Sequence, residues 1–196
     1  MARTKKFDED ATLEKILNLF WQKGYHQATL ADILLATGIK KQSMYNAYGD
    51  KRSVFIKVLR LYREKNSLAM TQYVNSSLKD KKTAIQMLHE LFYINPEANG
   101  NIRGCLMINS MVEFKECDEE IRAEIDALLV FFEQILTQIV TIGQNSGELI
   151  TTLSSSQIVD IFMNTHRGFQ VAKDYDILSK DLNQIANSLI KLVSKN

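Results

Sequence analysis

The segment from Gly38 to Lys51 constrains the fold of this 196-residue chain more than any other part of it. It reads Gly-Ile-Lys-Lys-Gln-Ser-Met-Tyr-Asn-Ala-Tyr-Gly-Asp-Lys. Gly38 is a typical helix end, and a second short helix is predicted to begin shortly after it. Within about one and a half turns, that helix carries lysine, amide, hydroxyl and phenol groups, which suit contacts with base edges and phosphates in a DNA groove. The segment therefore favours a DNA-binding helical domain over a generic one.

The rest of the chain is also predicted to be helical. It contains one proline, Pro96, and eight glycines, whereas sheets need many tight turns that are rich in these residues. Apolar residues recur at spacings of three and four along most of the chain. The sequence therefore predicts an all-α fold of about nine helices.

Four of these helices are predicted in the first third of the chain. The first covers about residues 9–23, and the second begins at the capping pair Thr29 and Asp32. The third covers about residues 41–48, with Met44 as its main buried contact, and a longer helix follows it. These elements predict a three-helix, helix-turn-helix head in residues 1–50.

Longer amphipathic helices are predicted for the remaining residues, 51–196, which we interpret as a larger helical domain. After the fourth helix, the apolar spacing places five more near residues 84–92, 105–115, 121–143, 155–172 and 182–193. No internal repeat or flexible linker separates them from the head, so the two regions are expected to pack tightly.

Charge is distributed unevenly along the chain, although the whole sequence has a net charge of only +1. Residues 1–65 hold 13 Lys and Arg against 7 Asp and Glu, a net of +6. Residues 66–196 hold 11 against 16, a net of −5. A basic head on an acidic body suggests a module that binds a polyanion.

The sequence predicts a cytoplasmic protein without membrane attachment. Its N-terminus lacks the apolar segment of a signal peptide, and the apolar run Ala127–Phe132 is far shorter than the ~20 residues that span a bilayer. Cys105 and Cys117 would lie about 18 Å apart on one unbroken helix, too far for a disulfide. Two such cysteines fit a reducing compartment.

The order of these elements resembles the TetR family of bacterial transcription regulators. The resemblance is specific from about residue 13 to 59, and the following residues carry it by their spacing: Leu19-Phe20, Gly24, Thr29, Ile33, Gly38, Met44-Tyr45, Tyr48 and Asp50-Lys51. It implies a homodimer with an N-terminal helix-turn-helix and a ligand-binding and dimerisation domain whose last two long helices form the interface. It also implies a ligand-responsive repressor that binds a palindromic operator and is released by a small molecule or an electrophile.

Under this resemblance, seven side chains become candidates for contact with double-stranded DNA. The base-reading candidates lie on the third helix, namely Lys41, Gln42, Ser43 and Asn46. The phosphate-binding candidates are Thr29, Tyr45 and Lys51. Lysine can donate to guanine and glutamine can pair with adenine. Helix starts, where Thr29 and Lys51 stand, favour anions.

Two residues of the third helix depart from the family pattern. Lys40 stands where a small capping hydroxyl is frequent, and Ala47 stands where an aromatic residue or histidine is frequent. Ala47 is expected to remove one backbone contact, and both changes leave the operator sequence open.

The stretch from Arg103 to Glu113, Arg-Gly-Cys-Leu-Met-Ile-Asn-Ser-Met-Val-Glu, allows two interpretations. It resembles a Gly-Cys-Leu…Asn…Glu pattern in relatives that sense electrophiles or oxidants through the cysteine, and a helix start beside Arg103 would favour the thiolate of Cys105. Alternatively, Cys105 is a small buried residue that packs between helices.

Candidates for effector binding and for dimerisation lie beyond the head. The candidate lining of an apolar cavity with a few polar groups is Met87, Phe92, Cys105, Asn109, Met111, Phe132, His166 and Phe169. Apolar residues of this kind are more often ordinary core, and Asn109 and His166 could equally satisfy a local backbone group or face solvent. The predicted dimer interface consists of Ile158, Ile161, Phe162, Thr165, Leu182, Ile185 and Leu189. Gly168 and Ala172 would allow close helix approach there. The scattered histidines predict no metal site, and no cofactor is expected.

Two other functions compete with that of a regulator. The chain could be a helical small-molecule carrier or enzyme whose head is purely structural, but it shows no nucleophile–base pair or phosphate-binding loop, and we expect no enzyme. It could also be an adaptor that uses the basic helix on an acidic protein. Sequence-specific DNA binding would separate the regulator from both.

Overall fold

Helices make up most of the computed structural model, which describes residues 7–92, 104–114, 118–175 and 182–195. These residues form nine helices. They also contain one isolated antiparallel bridge, between Leu149 and Ser194, which lies outside the helices. The helices are α1 (Glu9–Lys23), α2 (Leu30–Thr37), α3 (Lys41–Tyr48), α4 (Lys51–Lys79), α5 (Ala84–Leu91), α6 (Leu106–Glu113), α7 (Glu119–Ser146), α8 (Ser155–Tyr175) and α9 (Leu182–Val193). The all-α prediction is confirmed.

Polar caps and a glycine set the ends of the head helices α1 to α3. The side chain of Asp8 accepts hydrogen bonds from the first backbone N–H groups of α1. Thr29 and Asp32 form a reciprocal capping box at the start of α2. Gly38 ends α2 with φ 71°, a left-handed conformation that glycine adopts without steric cost. The chain therefore turns sharply enough for α3 to begin at Lys41.

A first hydrophobic core lies under the head, and the body contributes to it. Buried residues of α1 to α4 meet residues of α6 and α7 there, including Leu106, Met107, Ile121, Ile125 and Leu128. Burial of this apolar surface stabilises the head and the body as one unit. The boundary between residues 50 and 51 stays a prediction, because the core beneath the head is shared across it.

A second core joins α5, α7, α8 and α9 with the end of α4. Gly143 of α7 allows a close approach of neighbouring elements in this core. A Cβ atom at this position would lie 2.7 Å from both the Ala84 Cβ and the Leu149 Cδ1, so a larger residue would push α5 and the turn after α7 away. Because α7 contributes to both cores, it connects the two ends of the molecule.

The central helix α7 is long and apolar enough to cross a membrane when judged by length and composition alone, with a mean hydropathy of 1.7 over 18 residues. Many of its apolar residues, however, face the two cores, among them Ile125, Phe132 and Ile139. A core helix of a water-soluble protein satisfies the same criterion.

Ion pairs hold the long helix α4 against α7. Near its start, Arg52 makes a bidentate pair with Asp118, in which Nη2 lies 2.6 Å from Oδ1. Further along, Glu124, which is 8% exposed, accepts hydrogen bonds from Arg60 Nε at 2.9 Å and Arg63 Nε at 2.8 Å. Burial raises the pKa of Glu124, but the hydrogen bonds and charges of the two arginines outweigh it, so the net shift is downward.

We predict that Glu124→Gln lowers the free energy of unfolding at pH 7 by about 2 kcal/mol, since hydrogen bonds to a charged group are lost. The folded-state pKa of Glu124 lies below its unfolded value. This stabilisation is therefore present above the unfolded pKa of about 4.3 and lost as the pH falls through the folded pKa. Urea unfolding at several pH values checks this.

The matched control is Glu133→Gln, which changes an exposed glutamate of the same helix and should have little effect. A difference between wild type and Glu124→Gln that stays constant from pH 7 to about pH 3 would contradict the assignment.

Candidate DNA-binding face and ligand cavity

The outward face of α3 carries the side chains predicted to read bases. Lys41, Gln42 and Asn46 are exposed, and Ser43 is half-buried. On the opposite side, Met44 is fully buried in the first core, as its position in the sequence predicts. The helix therefore presents a polar surface on a fixed base.

Tyr48 and Lys57 fix the end of α3. The hydroxyl of Tyr48 donates to the backbone carbonyl of Glu9 at 2.7 Å. Burial raises the pKa of Tyr48 to about 12, so the phenol stays protonated and keeps this donor. Lys57 Nζ donates to the carbonyl of Ala47 at 2.8 Å, a favourable position for a cation at a helix C-terminus. Sequence reasoning missed this role of Lys57, which only the approach of α4 to α3 creates.

Two amide side chains on the exposed face of α3 are paired. Gln42 Nε2 donates to Asn46 Oδ1 at 2.9 Å, across one turn of the helix. The side-chain carbonyl and one N–H of Gln42 stay available for other hydrogen bonds, and so do the amide N–H groups of Asn46. Both side chains are exposed to solvent. Because adenine presents one donor and one acceptor in the major groove, a pre-oriented amide is suited to it.

The phosphate-binding candidates surround α3, but their environments differ. Tyr45 is 42% exposed, and Lys51 Nζ lies 4.4 Å from the ring centroid of Tyr25. Thr29 is exposed, yet its hydroxyl donates to Asp32 at 2.7 Å and serves the capping box. A phosphate at this helix start would therefore meet backbone N–H groups before the hydroxyl. The DNA contacts of all three stay predictions.

Lys40 is the N-cap residue of α3, and its side chain makes no capping hydrogen bond. The first backbone N–H groups of α3 therefore remain open to an anion, and the exposed cations Lys40 and Lys41 stand next to them. The departure from the family pattern at this position thus replaces a cap with a positive charge.

A cavity lies between α4, α6, α7 and α8. It has about 510 Å³ of atom-free space, including its opening to solvent. Its apolar walls are Met70, Ile108, Leu128, Leu129, Phe132 and Met163. Its polar lining consists of Tyr62, Asn66, Cys105, His166, Arg167 and Gln170. A mostly apolar cavity with a few polar groups is the usual form of a small-molecule site.

The structure brings only part of the predicted effector set to this cavity. Cys105, Phe132 and His166 line it. Met87, Phe92 and Phe169 are buried in the second core, and of these Phe92 borders only a smaller void next to the cavity. The two remaining residues do not line this cavity: Met111 is 42% exposed on α6, and Asn109 is half-buried. A role of these residues in effector binding stays a prediction.

Sequence reasoning missed four polar residues of the cavity, Tyr62, Asn66, Arg167 and Gln170. Tyr62 and Asn66 are one turn apart on α4, and Asn66 Nδ2 donates to the Tyr62 carbonyl at 2.8 Å. The sequence feature that could have identified Tyr62 and Asn66 is the uninterrupted helix through residue 79, because residues four apart lie on the same face of a helix.

Cys105 is half-buried and occupies the N-cap position of α6. The hydroxyl of Tyr62 lies 3.5 Å from its sulfur. The thiol thus lies on the cavity wall, which is compatible with a packing role and with a sensing role. Arg103 and Cys117, which entered the sequence argument, lie outside the described residues.

The predicted dimerisation residues fall into two groups. Ile161 and Ile185 are 40% and 41% exposed, and Thr165 is half-buried. Ile158, Phe162 and Leu189 instead belong to the second core of the same chain, because they lie on the inner faces of α8 and α9. The side chain of Leu182 lies outside the described residues.

The outer faces of α8 and α9 carry further apolar residues that the sequence prediction did not include. Val171 is 39% exposed and Leu192 is 73% exposed. A Cβ atom at Gly168 would meet nothing within 4 Å. We call Ile161, Gly168, Val171, Ile185 and Leu192 the outer α8–α9 face.

Helix α6 is attached to the head at both ends. At its start, the buried Trp21 Nε1 donates to the carbonyl of Gly104 at 2.8 Å. At its other end, the carboxylate of Glu113 accepts from the backbone N–H of His26 at 2.9 Å. The ring of Phe114 packs 4.9 Å from that of Tyr25. A movement of α6 would therefore displace its contacts with α1 and with the turn before α2.

The described residues contain no group of three or more His, Cys, Asp or Glu side chains that could hold a metal ion. The absence of a metal site stays a prediction for the whole chain.

Two family profiles match the chain. Residues 13–58 match the family described as bacterial regulatory proteins, tetR family, and residues 83–176 match the tetracyclin repressor-like C-terminal domain. The chain belongs to the TetR family. Its head and body therefore correspond to the two parts of a TetR-family transcription regulator, which binds DNA and responds to a ligand.

Individual relatives agree with this placement. Over 197 residues, the chain is 26% identical to the HTH-type transcriptional repressor ComR of Escherichia coli K12, covering 97% of this chain and 90% of ComR. A TetR-family regulator from Agrobacterium tumefaciens has a similar structure, with a TM-score of 0.79 and 18% identity over 96% of this chain and 100% of that one. A cysteine mutant of the TetR-family regulator CifR, solved with a 26 bp double-strand operator DNA, has a TM-score of 0.71 and 20% identity over 96% of this chain and 98% of that one.

Proposed function

We propose that this TetR-family regulator is a homodimeric repressor that binds a palindromic operator in the cytoplasm and is released by a small molecule in the cavity. We propose no catalytic role. The observation that carries the proposal is the exposed polar face of α3, held on buried Met44 and Tyr48. A helix fixed in this way can enter the major groove without losing its own packing.

The outer α8–α9 face supports dimerisation. Its apolar residues are exposed in the single chain, and Gly168 leaves room for a second helix to approach. Burying this surface against its symmetry mate would form a four-helix interface. Two α3 helices about 34–36 Å apart would then reach successive major grooves on one side of the DNA.

The contacts of α6 support a path from the cavity to the head. Tyr62 and Cys105 line the cavity, and the ring of Tyr62 packs edge-on against Trp21 with 5.3 Å between centroids. Trp21 also holds Gly104, the residue before Cys105. A ligand that moves Tyr62 or Cys105 thereby moves α1 and changes the spacing of the two α3 helices. Such a ligand lowers DNA affinity if it binds better to the changed arrangement.

Trp21→Phe tests this path, since it keeps an aromatic ring but removes the donor to the Gly104 carbonyl. We predict faster amide hydrogen exchange in α6 and a loss of about 1–3 kcal/mol in the free energy of unfolding. Hydrogen exchange measured by mass spectrometry gives the result by segment, and α5 serves as the internal reference. Unchanged protection of α6 would show that the head does not hold this helix.

The proposal as a whole is tested by DNA binding at increasing salt. On an operator selected from random sequences, affinity should fall steeply with salt, because lysine contacts release counterions from phosphates. A monomer that binds no DNA at low salt would contradict the proposal.

A further inference from the structure

Three of the six polar residues that line the cavity, His166, Arg167 and Gln170, lie together on α8. Most of the remaining lining is apolar. A ligand that fills this space must therefore have an apolar body and a polar group directed at α8. The charge and hydrogen-bonding state of these three side chains decide what that polar group is.

Gln170 is 3% exposed, and its amide is only partly satisfied. Its Nε2 lies 3.1 Å from His166 Nε2, whereas its Oε1 is buried and has no hydrogen-bond partner among the described residues. Since the two ends of an amide can be exchanged by a flip, one polar end lacks a protein partner in either orientation. A buried amide in this state favours a ligand that completes its hydrogen bonds.

Arg167, which is half-buried, brings a positive charge to the cavity, and no described residue of the lining carries a negative charge to pair with it. Its Nη1 donates to Asn164 Oδ1 at 3.2 Å, and its Nε is buried without a partner among the described residues. No aspartate or glutamate is among the described residues that line the cavity. Glu124 of α7 is already engaged by Arg60 and Arg63. A half-buried cation that has no counter-charge among the described lining residues favours an anionic ligand.

We infer that the cavity binds a monocarboxylate with an apolar body, held by Arg167 and Gln170. The carboxylate accepts from Arg167 Nε–H and from the Gln170 amide, turned so that its NH₂ group faces the ligand. In this orientation Gln170 Oε1 accepts from the Nε2–H tautomer of His166. The apolar body packs against Phe132 and Met163. This deepens the proposed function and rests on it for the effector role, since it names the chemical class of the effector.

Three probes of equal chain length separate the possible head groups: octanoate, 1-octanol and octylamine. Trp21 is the only tryptophan of the chain and packs against Tyr62 on the cavity wall, so its fluorescence can report binding without DNA. The wild-type protein is expected to bind octanoate at least about tenfold more tightly than either other probe, because only octanoate carries a negative charge that can pair with the half-buried guanidinium of Arg167.

Variants of the two polar residues sharpen the test. Arg167→Met should weaken octanoate binding about tenfold or more and leave 1-octanol binding unchanged, whereas Arg167→Lys should keep the preference for octanoate. Gln170→Glu places a carboxylate beside Arg167 and should also abolish that preference. Arg122→Met, which removes an exposed arginine from α7, is the matched control and should bind like the wild type.

Equal binding of octanoate and 1-octanol by the wild type, or tighter binding of octylamine, would overturn the inference. So would an Arg167→Met protein with undiminished octanoate affinity. If Arg167→Met does not fold, the three-probe comparison on the wild type and on Gln170→Glu decides. Operator release is measured separately, so octanoate that binds through Arg167 without releasing DNA would contradict the proposed function and leave the assigned ligand class standing.

Discussion

Replacing Lys41 and Gln42 together by alanine is expected to abolish sequence-specific DNA binding by this protein. Both side chains are exposed on α3, and neither contributes to the core beneath it. Each well-placed base contact contributes about 1–3 kcal/mol of discrimination. The double variant should therefore lose about 100-fold or more in affinity for the selected operator, as measured by fluorescence anisotropy.

The same substitutions should lower the affinity for random DNA much less, by about tenfold at most, because they remove only one positive charge that can contact a phosphate. Alanine is a strong helix former, so α3 and the fold should persist, which circular dichroism can check. The matched control is Lys79→Ala with Gln72→Ala, which removes the same groups from the exposed side of α4. Equal losses on operator and random DNA would mean that α3 does not read bases.

Introducing glutamate at Ile161 and Leu192 is expected to convert the proposed dimer into monomers. These side chains are 40% and 73% exposed, so the change costs the isolated chain little. At a dimer interface, however, it would bury charges against their symmetry copies, which is strongly unfavourable. Sedimentation velocity at micromolar concentrations should show a monomer. Operator affinity should fall about 100-fold or more, because only one half-site is then held.

Leu68→Glu is the control, since Leu68 is 59% exposed and lies on α4, which contributes no residue to the outer α8–α9 face. Gly168→Leu adds an independent check. A Cβ atom at this position would meet no described atom within 4 Å, and leucine suits a helix better than glycine, so the monomer should be at least as stable while the dimer is weakened. A dimer unaffected by either set of changes would place the interface elsewhere.

Local rules sufficed to predict the head. The capping box of Thr29 and Asp32, the left-handed turn at Gly38 and the burial of Met44 all depend on residues a few positions apart. Lys57 shows where such rules end, because its contact with the Ala47 carbonyl requires the packing of two helices. Which DNA sequence the exposed residues select depends on a partner that neither the sequence nor the fold contains.

The body was harder to predict at the level of single residues. Periodicity located its helices, but it could not separate an inward from an outward apolar face when both exist. Ile158 and Ile161 lie on the same helix, yet the first is fully buried and the second is 40% exposed. Likewise, Met111 has the chemistry of a cavity residue but lies on the solvent side of α6. Gln170 and Arg167 were missed because polar residues on an amphipathic helix are usually solvated.

Selection of DNA from a random pool by the purified protein, followed by footprinting, tests the central claim most directly. We predict enrichment of one palindromic sequence, with two protected half-sites about one helical turn apart on the same side of the duplex. Enrichment should be lost in the Lys41→Ala, Gln42→Ala protein. Recovery of no common sequence from the wild-type protein, or of one that the double variant selects equally well, would contradict the account.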